Sequence, residues 1–383
     1  MSNPACIADY RELARRRLPR ILFDYIDGGS GEEQTLRRNV EAMQQVVLRQ
    51  RVMLDVSKVS LRTELLGQSL SMPLILGPVG ISGMYARRGE AQAARAAEDA
   101  GITSCLSTMS ICSIEEVRAA VKTPPWFQLY MFKDRGYMRE LLARVREQEV
   151  PVLVFTVDLQ APGTRYRDVR TGMTGQLAPW PRLKRALNGA TRTDWLMDVM
   201  LGGRPHTFGN IVAAVPGAKG PAGFWIWVKQ NFDPSVTWKD LDFVRENWPG
   251  PIVVKGVMDV DDARGAVSAG VDGIIVSNHG GRQLDGTLAS IEALPAIAEA
   301  VGDKTAVLMD GGIRSGQDVV RALALGAKAC LLGRAWAYPL AAAGGAGVSH
   351  ALELFRSEIA TAMQLTGCTD VAAAGRHMLV DPG

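Results

Sequence analysis

From residue 71 onward one unit recurs along the chain: a short apolar strand, a polar turn, an alanine-rich helix and a glycine stop. The helices end in Ala100-Gly101-Ile102, Ala269-Gly270-Val271 and Leu325-Gly326-Ala327. Each glycine stands where a left-handed residue closes a helix, and a new apolar run starts just after it. Candidate strands are 73–79, 103–108, 125–131, 151–158, 251–257, 273–279, 306–311 and 329–333. Strands joined through helices must run parallel, and eight of them close naturally as a (β/α)8 TIM barrel. A doubly wound open sheet is the alternative. No G-x-G-x-x-G follows any of these runs and no G-K-[ST] loop exists, so a nicotinamide or P-loop site has no support.

The rhythm breaks once. Residues 159–250 separate the fourth strand from the fifth, far more than a barrel loop and helix need. The expected organisation is one α/β domain with an N-terminal helical extension (1–70), a barrel (71–174 and 233–365), an insertion at about 175–232 and a tail (366–383). Residues 5 to 27 read as a helix closed by Leu18-Pro19. The uncharged run Ala335–Leu352 is broken by Pro339 and several glycines, so it reads as a barrel helix with its lead-in, and no transmembrane helix is expected.

A formal charge of +3 over 383 residues is too near neutral for nucleic acid to be the main partner. The five cysteines are odd in number, scattered and without C-x-x-C spacing, which argues for reduced thiols and against a zinc site. Four unclustered histidines make a metal centre improbable. Asp9, Arg11 and Glu12 stand near the start with no apolar run, so no secretory signal is read.

The chemistry gathers at strand ends. Gly273-Ile274-Ile275-Val276 is a buried strand that runs into Ser277-Asn278-His279-Gly280-Gly281-Arg282, presenting a proton acceptor and a fixed cation together. A lone histidine is more often a satisfied core residue, but His279 has Ser277, Asn278 and Arg282 beside it. Two glycine loops, Asp310-Gly311-Gly312-Ile313-Arg314 and Gly333-Arg334, follow the seventh and eighth strands, where barrels commonly hold phosphate. Glycines let backbone N–H groups approach an anion, and a following helix N-terminus adds its dipole. Ser315 with Asp318 is a capping pattern for the first of those helices. Lys255 closes the apolar fifth strand, which is costly unless the ammonium meets an anion. Arg165 and Arg282 together can clamp a carboxylate. Asp158, at the end of the fourth strand, would hold His279 in orientation as triad acids do, although alone it reads equally well as a helix cap.

The stretch S-N-H-G-G-R-Q-L-D-G (277–286) resembles the active-site signature of the flavin mononucleotide-dependent L-2-hydroxy-acid dehydrogenases and oxidases, and the likeness runs the length of the chain. The resemblance implies FMN as cofactor and an L-2-hydroxy acid as substrate. It implies that His279 is the base and that Asp158 stabilises the imidazolium. Whether the proton taken is the carbon-bound one or the hydroxyl one, with a hydride leaving, stays open. Tyr130 and Tyr25 would hydrogen-bond the substrate, although Tyr25 also reads as an aromatic packed under the barrel. Flavin needs donors at its carbonyl edge and a cation where charge collects on reduction. Carried over by motif, Pro78, Val79, Gly80, Ser107, Gln128, Thr156, Lys255 and Ser277 would contact the ring. Asp310, Gly311, Gly312, Arg314, Gly333 and Arg334 would hold the ribityl phosphate. Position 77 is glycine where the family more often has alanine. Met109 sits where the family varies the side-chain end of the substrate pocket, and both Met109 and Gln160 depart from the usual lactate pattern.

From Arg165 to Arg204 inclusive there are eight Arg or Lys and three Asp, with Trp180 and Trp195 between them and Trp225 and Trp227 farther on. Basic residues mixed with exposed tryptophan suit a membrane interface, while a solvated active-site lid is the plainer reading. R-Y-R-D (165–168), T-G-M-T-G (171–175) and G-R-P-H-T-F-G-N-I (203–211) look like the respiratory, quinone-linked L-lactate dehydrogenase branch of that family. That resemblance implies a peripheral enzyme at the cytoplasmic face of the inner (plasma) membrane, oxidising L-lactate to pyruvate and passing electrons to quinone, as a homo-oligomer (a tetramer). The strands and both phosphate loops lie outside the insertion, so removing 178–230 is expected to leave barrel and flavin intact. The competing readings are activity on mandelate, glycolate or a longer acid, a non-redox phosphate-binding barrel using Lys255 as a Schiff base, and an idle membrane-binding scaffold.

Overall fold

A computed structural model describes residues 4–174, 178–215, 227–228 and 230–380. A hairpin, β1 (Thr63–Leu65) and β2 (Gln68–Leu70), precedes eight strands: β3 (Leu74–Leu76), β4 (Thr103–Ser107), β5 (Trp126–Leu129), β6 (Leu153–Thr156), β7 (Ile252–Val257), β8 (Gly273–Val276), β9 (Ala306–Asp310) and β10 (Ala329–Leu332). All eight pair in parallel, and β10 returns to β3 with Leu331 opposite Ile75, so the barrel closes. Each falls within its expected range.

The strands read as unbroken apolar runs because parallel strands are buried on both faces. Period two nevertheless sorts their side chains. Ile75, Cys105, Val154, Val253, Ile275, Leu308 and Leu331 form one inward cluster, and Leu65 and Leu70 of the hairpin join it from one end. Leu76, Leu106, Phe155, Val254, Ile274 and Leu332 point outward into the larger core beneath the helices.

The N-terminal extension is not one helix. Pro19 cannot continue a helix but can start one, so α1 (Ile7–Arg17) stops at Leu18 and α2 (Arg20–Asp27) begins after it. A third helix, α3 (Gln34–Gln45), follows. The last long helix, Arg334–Thr366, breaks at Ala343 and Gly344, where the backbone is not helical.

The insertion departs from its expectation in one respect. Trp180, on the helix Pro179–Ala190, is 63 % exposed. Trp195 is buried and its indole N–H donates to the Met84 carbonyl at 2.8 Å. Trp227 packs edge-on against Phe132, with ring centres 5.0 Å apart. Trp225 lies outside the described residues. The segment folds back onto the barrel, and Val199, Phe208, Ile211 and Val228 fill core space. Removing 178–230 would therefore empty the core space that these side chains fill, against the expectation that the deletion leaves the barrel intact.

Candidate active site

The same period that faces Val154 inward faces Thr156 inward, two residues later. Applied to every strand, this places Gly77, Ser107, Gln128, Thr156, Lys255, Ser277, Asp310 and Gly333 as one polar tier at the C-terminal end of the barrel. Register agrees, with Ser107 opposite Gln128 and Thr156 opposite Lys255. Lys255 donates to Ser277 Oγ at 2.9 Å and lies 3.0 Å from Asp310 Oδ2. Burial pulls its pKa down, but Asp310 and Asp158 more than offset this and hold it above the usual lysine value.

Above this tier lies a cavity of about 520 Å3. It is bordered by Tyr25, Pro78, Val79, Gly80, Ser107, Met109, Tyr130, Thr156, Arg165, Lys255, His279 and Arg282, and on the phosphate side by Asp310, Gly311, Gly312, Arg314, Gly333 and Arg334. Gln128, Asp158 and Ser277 stand directly behind these, bonded to Ser107, His279 and Lys255.

His279 Nδ1 lies 2.9 and 3.1 Å from the two Asp158 carboxylate oxygens. That contact fixes the proton on Nδ1 and leaves Nε2 as the basic nitrogen. Burial holds the imidazole below its ordinary pKa despite the pull of Asp158. Burial pushes the Asp158 carboxyl up, yet His279 and Lys255 bring it below the usual carboxylate range. The pair is a neutral base beside a carboxylate. Its geometry depends on two backbone features. A β-bulge at Gly256 (φ 110°) brings β7 against Asp158, where a Cβ would fall 2.6 Å from the Asp158 Cβ. His279 itself is left-handed at φ 57°, a conformation held by a surrounding network. Asn278 and Asn39 of α3 exchange amide hydrogen bonds at 2.9 and 2.8 Å, and Asn278 Oδ1 also accepts the Gly281 N–H. Nothing in the local sequence pointed to Asn39; only the packing of α3 on this loop reveals it.

The two arginines are held mainly by carbonyls. Arg282 donates to Tyr25 O and Gly28 O at 2.6 and 2.9 Å and lies over the Tyr25 ring at 4.8 Å. Arg165 donates to Arg282 O, and burial followed by the Arg282 charge lowers its pKa. Asp168 was missed although it closes the R-Y-R-D motif. It borders the cavity with Oδ2 3.7 Å from Arg165, and burial raises its pKa against the pull of Arg282 and Arg165. Burial, then Asp158, raises the Tyr130 pKa, so the phenol stays a donor. Gln160 is exposed and turned away, donating to Val236 O.

The residues fit FMN. Gln128 Nε2, Thr156 Oγ1 and Asp310 Oδ1 are buried without a hydrogen-bond partner, as expected of groups that meet a polar ring edge and chain. Arg334 is half-buried with its guanidinium on the carbonyls of Ile26, Gly280 and Gly28, and desolvation brings its pKa down to about 9. Such a cation suits a phosphate. The two helix starts that follow these loops differ. The start of Gly316–Ala324 is capped by its own side chains: Ser315 and Asp318 form the capping box, Asp318 also takes the Arg314 N–H, and Glu358 takes the Gly316 N–H at 2.5 Å. The helix beginning at Arg334 carries no side-chain cap, so its N-terminus is the one open to an anion.

The profile of the FMN-dependent dehydrogenase family matches residues 14–381. An L-lactate dehydrogenase of Caulobacter sp. (strain K31) is 55 % identical over 371 residues, covering 97 % of each chain. One from Actinobacillus pleuropneumoniae serotype 5b (strain L20) is 52 % identical over 373 residues, again 97 % of each. Among solved structures, the monotopic membrane protein (S)-mandelate dehydrogenase is similar at TM-score 0.92 and 34 % identity, covering 99 % of this chain and 100 % of that one. A mandelate oxidase with (S)-4-hydroxymandelic acid follows at TM-score 0.84 and 38 % identity, covering 98 % of each.

Proposed function

The chain belongs to the FMN-dependent dehydrogenase family, and from that premise we propose that it oxidises L-lactate to pyruvate and delivers the electrons to quinone. The observation that carries this reading is His279, held by the Asp158 carboxylate behind it, sharing one cavity with Arg165 and Arg282. The arginines take the substrate carboxylate through forked donors. With the carboxylate so held, the substrate's second carbon is presented to His279 Nε2, and Tyr130 and Tyr25 supply hydroxyl donors. His279 removes a proton as the acid is oxidised, and Asp158 stabilises the imidazolium. Bound FMN supplies the two-electron sink. Its ring would rest on Pro78–Gly80, Ser107, Gln128, Thr156 and Ser277, and Lys255 offers the cation that charge on the reduced ring requires. Its phosphate would meet Gly311, Gly312, Arg314, Gly333 and Arg334.

Lactate is favoured over mandelate because the relatives above half identity carry the lactate name, whereas the mandelate enzymes lie at 34–38 %. No helix among the described residues is long and apolar enough to cross a membrane. Support for a peripheral attachment comes from the helix Pro179–Ala190, which exposes Trp180, Leu183 and Leu187 on one stripe with Arg182, Lys184 and Arg185 nearby. The solved relative described as monotopic points the same way. We therefore infer a peripheral membrane enzyme; its place at the cytoplasmic face of the plasma membrane and its tetrameric form rest on resemblance, and light scattering checks the latter.

The test is anaerobic bleaching of the bound flavin by a panel of L-2-hydroxy acids, then reoxidation by oxygen or by a quinone. Lactate should bleach at the lowest concentration and quinone should reoxidise faster than oxygen. Preference for an aryl acid would reject lactate and keep the family, and failure of every acid would reject the reading.

A further inference from the structure

The inserted segment re-enters the barrel at Phe208–Ile211, where Phe208, Asn210 and Ile211 are fully buried. The Asn210 amide oxygen accepts the Ile114 N–H at 2.8 Å. Its Nδ2 donates to the Ser107 carbonyl at 3.2 Å and to Ser110 Oγ at 2.8 Å. One side chain thus ties both ends of the loop 107–114. Asn210 is itself anchored, because its carbonyl accepts from the Tyr137 hydroxyl at 2.5 Å and from Arg144 at 3.1 Å. The preceding residue has to be glycine. A Cβ at Gly209 would fall 2.4 Å from the Ser113 nitrogen, and its N–H reaches the Ser110 and Ile111 carbonyls at 3.2 Å each.

The loop so held forms one wall of the cavity. The Ser107 hydroxyl donates to Gln128 Oε1 and accepts the Met109 N–H, both at 3.1 Å. The Met109 carbonyl takes the Ile81 N–H at 2.9 Å, and its Cβ stands 3.5 Å from where a Gly80 Cβ would be. Ser107, Met109 and Gly80 all border the cavity. A shift of this loop therefore moves the Met109 wall and the Ser107–Gln128 pair together.

We propose that Asn210 is a positioning residue of the active site: through the loop 107–114 it sets the depth of the pocket at Met109 and the placement of Ser107 and Gln128 toward FMN. It borders neither the cavity nor the reacting atoms, and it comes from the insertion rather than the barrel. The alternative is a core amide that merely stabilises the fold. A stabilising role alone would lower the melting temperature and leave the folded holoenzyme's spectrum and affinities unchanged.

The test uses Asn210→Ala in the holoenzyme, with Ser110→Ala as a second variant that removes one partner on the loop and leaves the insertion intact. Three readouts are compared with wild type: the visible absorption band of bound flavin, the FMN dissociation constant, and KM against kcat for lactate and for mandelate. In Asn210→Ala, KM for lactate should rise about tenfold, the size of one or two lost hydrogen bonds, with a smaller change in kcat. The lactate-to-mandelate ratio should fall and the flavin band should shift. Ser110→Ala should move each in the same direction by less, and it carries the test if Asn210→Ala does not fold. Variants that melt earlier but keep the wild-type band, FMN affinity and substrate ratio would overturn the proposal. The choice of lactate rests on the function proposed above. The flavin band and FMN affinity still read the effect of Asn210 if no hydroxy acid bleaches the wild type.

Discussion

Replacing Asp158 by asparagine isolates the charge that the candidate base depends on. His279 Nδ1 sits 2.9 and 3.1 Å from the two carboxylate oxygens, and the two side chains are only 18 % and 11 % exposed. With charge centres about 4 Å apart and an effective dielectric near 20, the attraction for a full imidazolium is about 4 kcal/mol. The transition state carries part of that charge, so the loss should be about 2 to 4 kcal/mol. At 1.36 kcal/mol per decade this is a roughly 30- to 1,000-fold slower reduction step. Asparagine can also donate to Nδ1, which favours the tautomer protonated at Nε2 and removes the basic lone pair. The assay is anaerobic stopped-flow bleaching of the flavin by lactate, which keeps the electron acceptor out of the measurement. His279→Gln sets the floor, and flavin content per protein shows that the cofactor remains bound.

The pH profile gives a second, signed readout. Burial holds His279 below its ordinary value near 6.5, and Asp158 works against that burial. Only the neutral ring accepts a proton, so kcat/KM should climb with pH through a midpoint below that value. Without Asp158 the imidazolium loses its partner, and the rising limb should move to lower pH still. A variant with full flavin that reduces within threefold of wild type, or whose limb moves upward, would refute the assignment.

Arg282→Lys should raise KM for lactate roughly 10- to 100-fold with less change in kcat, because a point charge replaces a fork worth about 1.5 to 3 kcal/mol; an unchanged KM would remove Arg282 from carboxylate binding. Met109→Ala should improve kcat/KM for mandelate about tenfold or more by opening the wall that Met109 forms, and a wild type that already prefers mandelate would reject the lactate assignment. Trp180→Ala with Leu183→Ser and Leu187→Ser should abolish sedimentation with anionic vesicles while leaving anaerobic flavin reduction intact, since all three side chains are exposed. Binding by wild type should weaken as salt rises, because Arg182, Lys184 and Arg185 each contribute about 1 kcal/mol near anionic lipid. Loss of turnover without loss of vesicle binding would favour a lid.

The barrel was legible because two independent signals coincide in it. Each strand is an apolar run too short for a helix, and a glycine such as Gly101, Gly270 or Gly326 precedes the next one with a left-handed φ. The polar tier is legible by the same period. Once Val154 or Val253 is taken as inward, Thr156 or Lys255 two residues later must face the same way, where a polar group needs a ligand or a partner. The supports of the site are not legible. Asn39 meets Asn278 and Asn210 meets Ser110 only because of tertiary packing, and no spacing rule links residues 239 and 100 positions apart. Asp318 read correctly as a cap, but the cap itself was not weighed against an anion: the Asp318 and Glu358 carboxylates already take the Ser315 and Gly316 N–H groups at that helix start.

The insertion shows why composition alone misleads. A tryptophan with apolar residues at helical spacing is written the same way whether the stripe faces lipid or a core. Trp180, Leu183 and Leu187 stay exposed among the described residues. Trp195 and Val199 come from the same insertion, beside Asp194 and Asp198, and are buried. The charges divide likewise. Arg17 of α1 pairs with Asp198 at 2.7 Å, and Arg192 donates to the Arg16 carbonyl, which pins this part of the insertion to the N-terminal extension. Lys184 instead lies over the exposed Trp180 ring at 5.5 Å. One inserted segment therefore holds two different parts: its first helix carries an exposed stripe, and its return through Asn210 is tied to the loop 107–114 behind the cavity wall. Truncation confuses the two, and only point substitutions on the exposed stripe can separate them.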